Sequence, residues 1–337
     1  MLAPIHLESR HPVRTRSGPR RIAVGVGSFE FGLVPVAVLI LLVLGGCSGG
    51  SDLTGSSMTI SDCMPPASAD SRDIRRNLSE MRGTPLCYRR QEVREGSFHW
   101  VFHILQHRKA PDGPFWVLPH DNEDTAFNVA VRAVMTYGGA LLAIDSGGRR
   151  RYLGQDPNRN FGSSPEESRL CHDQRRPGPG YTAAVLDHYK GRRGPYLALH
   201  NNHDGWRGNG GIGTISVHRE SSSLRGFPGQ GAGLLRDEDN LVFIAGARSS
   251  SADAAARRRI SVLNAAGLNV VYKQVDGGNF DCSLSDYIVR HGLGDYYNIE
   301  AEYGHGQAQQ EMIDRLMRTL GIQPLRRAVG GSPFLGG

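Results

Sequence analysis

The sequence predicts an α/β fold: a single domain on a mixed, largely parallel central sheet with helices on both faces. Three observations lead there. Short apolar runs of strand length alternate with stretches of helical period, which is the pattern of strands joined by crossover helices. No internal repeat divides the chain. Its 337 residues, 39% hydrophobic with 44 glycines, suffice for one large core and show no sign of wholesale disorder.

Taken in order, residues 1–46 read as a signal peptide. Arg14, Arg16, Arg20 and Arg21 precede an apolar run over 33–44, short of the roughly 20 residues that span a bilayer. The run ends in Leu44-Gly45-Gly46-Cys47, which resembles a bacterial lipobox, where small residues precede a cysteine that is acylated and becomes the mature N-terminus. The alternative is an uncleaved anchor with an incidental cysteine. The basic region is long for a signal peptide, so translation could begin further in. Residues 47–60, rich in Ser and Gly, read as a lipidated flexible tether, 61–322 as the folded domain, and 323–337 as a poorly ordered tail. The expected location is the bacterial cell envelope, lipid-anchored at Cys47 and facing the periplasm or exterior.

Within the domain, 98–105 and 115–118 have strand character. Ala126, Val129, Ala130, Ala133, Val134 and Tyr137 then recur at helical spacing until Gly138 and Gly139. Strands follow at 141–144, 196–199, 241–245 and 268–275, with helices at 181–190, 252–266 and 307–320. The net charge of +6 lies in scattered clusters such as Arg149 to Arg151 and Arg257 to Arg259, which speaks against a nucleic-acid partner; a monomer is expected. Besides Cys47 there are Cys63, Cys87, Cys171 and Cys282, an even number suited to an oxidising compartment. Three connectivities are open, and sequence order favours Cys63 with Cys87, leaving Cys171 with Cys282. The absence of any CxxC spacing argues against a cysteine zinc site.

In open α/β sheets ligands gather beyond the carboxyl ends of strands, so polar residues just after apolar runs are candidate site residues. Phe115-Trp116-Val117-Leu118-Pro119 leads into His120-Asp121-Asn122-Glu123, and Tyr196-Leu197-Ala198-Leu199 leads into His200-Asn201-Asn202-His203. His120 and Glu123, three apart where strand turns into helix, can converge on one cation, and a distant His200 would complete a site with one position open to water. His203 competes with His200, which follows the strand directly. His188, His218, His291 and His305 show no ligand spacing.

Asp156-Pro157-Asn158-Arg159-Asn160-Phe161 resembles the DPNRNF stretch of zinc carboxypeptidases. With the HxxE before it, the strand-borne histidine after it and a late glutamate-bearing strand, four landmarks of that superfamily occur in order. The resemblance implies the zinc carboxypeptidase fold, and Zn²⁺ held by His120, Glu123 and His200, polarising a scissile carbonyl and bringing the pKa of its water toward about 7. It implies Asn158 and Arg159 as anchors of a substrate carboxylate, a task suited to the guanidinium fork. An upstream arginine would stabilise the oxyanion, with Arg151 chosen over Arg149 and Arg150. The general base falls in 296–303, where Glu300 and Glu302 share a strand face; the family alignment favours Glu300. The family's closing tyrosine has no secure counterpart, Tyr272 and Tyr287 being candidates. The short interval between Glu123 and Asn158 is compact beside the digestive enzymes and nearer to the deacylase members.

The implied activity is exported, zinc-dependent hydrolysis of an amide bond near a free carboxylate in a peptide. The alternatives are a deacylase of N-acyl amino acids, like the desuccinylase branch, and a metal- or peptide-binding lipoprotein without catalysis. Membrane association would come through the lipid at Cys47.

Overall fold

The computed structural model describes residues 56–171, 178–190, 192, 194–204 and 215–325; the expected signal peptide, Cys47 and the rest of the tail lie outside these. Chain order is β1 (Ser57–Ile60), α1 (Arg72–Arg76), α2 (Leu78–Met81), β2 (Leu86–Glu95), β3 (Phe98–His107), β4 (Phe115–Leu118), α3 (Asp124–Tyr137), β5 (Ala140–Asp145), α4 (Pro165–Ser168) and α5 (Pro179–Leu186). Then come β6 (Tyr196–Asn202), β7 (Leu224–Phe227), β8 (Leu241–Gly246), α6 (Ala254–Ala265), β9 (Asn269–Gln274), α7 (Leu284–Arg290), β10 (Tyr296–Glu302) and α8 (Gly306–Thr319).

The strands form one ten-stranded sheet in the order β1-β2-β3-β5-β4-β6-β10-β8-β9-β7. Neighbours β5, β4, β6 and β10 run parallel, as do β8 and β9. The other five pairings are antiparallel, so the sheet is mixed and the expectation of a largely parallel one is corrected. For one of these pairings, β2 with β3, the reason lies in β2 itself. Its sequence, Leu-Cys-Tyr-Arg-Arg-Gln-Glu-Val-Arg-Glu, carries no apolar run. It is joined to β3 by two residues, with Gly96 at φ 59° and Glu95 opposite Phe98, and so short a link permits only an antiparallel hairpin.

Helices cover both faces, as the alternation of elements implied. On one, α3, α6 and α8 pack over Leu141, Leu197 and Ile299; on the other, α5 and α7 pack with Phe102, Val117 and Phe161. All six periodic residues of α3 are buried, and its alanines allow close approach to the sheet.

Two boundaries differ from expectation. β1 occupies the end of the expected tether: its exposed side chains give no hydrophobic signal, and it is held largely by backbone pairing with β2. At the other end Leu325, placed in the expected tail, donates its N–H to the carbonyl of Thr136 at the end of α3 (2.7 Å). The cysteines pair as sequence order favoured, Cys63 with Cys87 and Cys171 with Cys282, at Cα separations of 5.5 and 5.6 Å.

Candidate metal centre

Three adjacent parallel strands, β4, β6 and β10, deliver the polar residues of the site to one edge of the sheet. His120 lies just past β4, and Glu123 is the residue preceding α3. His200 is in β6, directly opposite Glu300 of β10. In space His120, Glu123 and His200 converge, with ligand atoms all within 4.8 Å of one another and all three residues buried. Glu123 Oε1 lies 2.8 Å from His120 Nδ1, Glu123 Oε2 lies 3.0 Å from His200 Nδ1, and the two Nδ1 atoms are 3.1 Å apart.

The hydrogen-bond inventory shows what these atoms are suited to hold. His120 Nε2 faces Asp156 Oδ1 at 2.8 Å, and an ionised carboxylate only accepts, so that nitrogen carries the proton. In the neutral ring Nδ1 then offers a lone pair toward Glu123 and His200. Two imidazole Nδ1 atoms and a carboxylate face one point, a donor set that suits a divalent cation with nitrogen and oxygen ligands. Asp156 holds His120 as carboxylates hold histidines in metal sites. Arg150 Nη1 also reaches this point, 3.1 Å from Glu123 Oε1 and 3.2 Å from His120 Nδ1, so the cluster already gathers positive charge.

The electrostatics agree. Burial alone would raise the carboxyl of Glu123, but His120 and His200 outweigh it and hold it far below the usual range. Asp156 is likewise held low against burial, chiefly by its bond to His120. Burial would lower His120, and Glu123 and Asp156 reverse that and raise it. Burial raises Glu300; Glu123 adds to the rise, and His200 and Asn298 offset part of it.

The remaining expected residues divide. Asn158 reaches the cluster, its Nδ2 3.4 Å from His200 Nε2 and its Oδ1 accepting from Leu284 N. Arg159 lies beside it, donating to the carbonyl of Asn158 (2.9 Å) and facing Asp281 at 3.5 Å. Of the three arginines considered for the oxyanion, Arg150 reaches the cluster and the chosen Arg151 does not. Reciprocal backbone bonds between Tyr152 and Gln155 turn this loop back on itself, leaving Arg151 exposed with its guanidinium on the carbonyl of Gly154, while Arg150 faces the cluster. Glu300 adjoins His200, whereas Glu302, two residues on, adjoins Asn202 and pairs with His305 (2.9 Å). His203 is exposed, packs against Tyr303 and is not part of the convergent group.

Neither tyrosine candidate opens on the site: Tyr272 is a core residue bonded to the carbonyl of Arg248, and Tyr287 packs against Phe161 and His291. Tyr303 is the tyrosine at the rim. Its hydroxyl accepts from Asn122 Nδ2 at 3.0 Å, and burial with the charge of Glu123 raises it to about 12. Two residues passed over in the sequence reading brace the site. Gln309 of α8 donates to the carbonyls of His200 (2.8 Å) and Ile299 (2.9 Å), locking β6 to β10. Asn201, on the opposite face of β6, accepts from Ala126 N in the first turn of α3 and donates to Ala301 O. Comparison with protein-family models, curated proteins and solved structures finds no match to this chain.

Proposed function

We propose that this chain is a zinc-dependent hydrolase that cleaves an amide bond near a free carboxylate, with a carboxypeptidase-like arrangement of residues. The observation that carries the reading is the convergence of His120, Glu123 and His200, from three separate chain segments, beside a buried glutamate on the next strand. His120, Glu123 and His200 would hold the cation through two nitrogens and a carboxylate. When bound, it would supply a Lewis acid and a water of lowered pKa.

The protein groups divide the remaining work. Glu300 is the base: its raised pKa makes it a better proton acceptor than an exposed carboxylate, and Asn298 Nδ2 holds Oε1 at 2.7 Å, leaving Oε2 to take the proton. Arg150 places fixed positive charge where a carbonyl oxygen develops negative charge. Asn158 and Arg159 anchor the substrate carboxylate. The substrate is a peptide or an N-acyl amino acid, and the location suggested by residues 1–47 is the outer face of a bacterial membrane, held by lipid at Cys47.

A second reading, a metal-free or catalytically silent binding protein, is favoured by Arg150, whose guanidinium already compensates the charge of the ligand atoms. Elemental mass spectrometry of the full chain separates the two. The expected result is about one zinc per wild-type chain and none in His120→Ala. Glu300→Gln is expected to keep the zinc and lose about 10²- to 10⁴-fold in turnover of carboxylate-terminated peptides or acyl amino acids. No metal in wild type after zinc is supplied would put the binding-protein reading first, and a fully active Glu300→Gln would remove Glu300 as the base.

A further inference from the structure

A second group of acidic side chains lies past the ends of β6 and β10. Asp204 follows β6, Asp239 precedes β8 and Glu302 ends β10; one carboxylate oxygen from each lies within 4.8 Å of the other two. The residues come from three separate segments, and Asp239 is fully buried. Like charges so placed repel, and they push Glu302 up: burial first, then Asp237, Asp204 and Asp239, raise it to about 7.

An independent observation indicates what would relieve this. Asn202 is 1% exposed, and among the described residues no donor meets its side-chain oxygen Oδ1. Its amide orientation is fixed, because Nδ2 donates to the carbonyl of Asp239 at 2.8 Å and a carbonyl can only accept. Asn202 is also the in-register neighbour of Glu302 on the adjacent parallel strand, so the two side chains leave the same sheet face side by side. A buried oxygen that no described donor meets, beside three carboxylates, suits a cation rather than another hydrogen-bond acceptor.

We propose a second metal site here, a calcium site formed by Asp204, Asp239, Glu302 and the carboxamide oxygen of Asn202. An all-oxygen donor set suits a large hard cation, whereas magnesium demands near-octahedral geometry and zinc favours nitrogen or sulfur. The ion would tie together the ends of β6 and β10, the strands that carry His200 and Glu300. The inference stands apart from the zinc reading, since it shares no ligand with it.

The test is calorimetric titration of calcium chloride into the chelator-stripped full chain. The expected result is saturable binding of one calcium per chain, retained in His120→Ala and weakened about tenfold or more in Asp204→Asn and in Asp239→Asn. Asp204 is exposed, so its variant does not endanger folding. No saturable binding by wild type would overturn the proposal, as would binding that survives Asp204→Asn unchanged or disappears with His120→Ala. Magnesium competing on equal terms would overturn the choice of calcium.

Discussion

Glu302 carries a consequence for stability. Its pKa is raised from an ordinary 4.5 to about 7, so the folded chain binds this proton more tightly than the unfolded chain does. The stability it contributes is complete below about pH 4.5 and is lost as pH rises through about 7. Glu302→Gln removes that loss. Without divalent ions the variant is expected to be about 1 to 3 kcal/mol more stable than wild type at pH 8 and nearly equal to it at pH 4.5, by denaturant titration at each pH. A constant difference between the two proteins at both pH values would refute the assignment. His120, Glu123 and His200 were legible in the sequence because each follows an apolar run at the carboxyl end of a strand. The role of Asp156 was not, although the residue stood in a recognised string, because its partner His120 is brought near only by folding. The choice of Arg150 over Arg151 depended on the backbone turn between Tyr152 and Gln155, which residue types alone do not specify.

Among elements, β9 and α7 are joined by a buried charge pair. Lys273 of β9 lies 2.9 Å from Asp281 and 2.8 Å from Asp286, whose side chain is wholly buried in the first turn of α7. Asp281 in turn faces Arg159, so two acids and two bases form one chain ending at the expected substrate anchor. Lys273→Met leaves Asp286 buried without its cation and is expected to cost about 3 to 5 kcal/mol, read from urea unfolding. Burial and Asp281 already raise Asp286 to about 6, and removing the lysine raises it further, so the loss should be larger at pH 8 than at pH 5. An unchanged midpoint at pH 8 would show the network contributes no stability. At this scale α3 was legible because a wide apolar stripe is buried. The edge strand β1 exposes every side chain, and β2 interleaves arginines and glutamates with its buried residues, so neither carries a strong hydrophobic pattern.

Over the whole molecule, Cys171–Cys282 spans 111 positions and joins the loop after α4 to the segment before α7. The carbonyl of Cys282 accepts from Phe161 N at 3.0 Å, so the bridge also braces the turn that carries Asn158 and Arg159. Replacing both cysteines by serine is expected to cost about 2 to 5 kcal/mol, because so long a loop is no longer restrained in the unfolded chain; equal urea midpoints for variant and wild type would contradict this. The place of β10 has a consequence for how the protein is made. This strand follows both β6 and β8 in sequence yet lies between them, and among the described residues it is the only strand bonded to both. A nascent chain that has not reached it holds two half-sheets with unpaired facing edges, and it lacks Glu300, Glu302 and the clamp of Gln309. Assembly of the centre therefore waits until β10 has been made, when it inserts between the two halves and closes both edges at once.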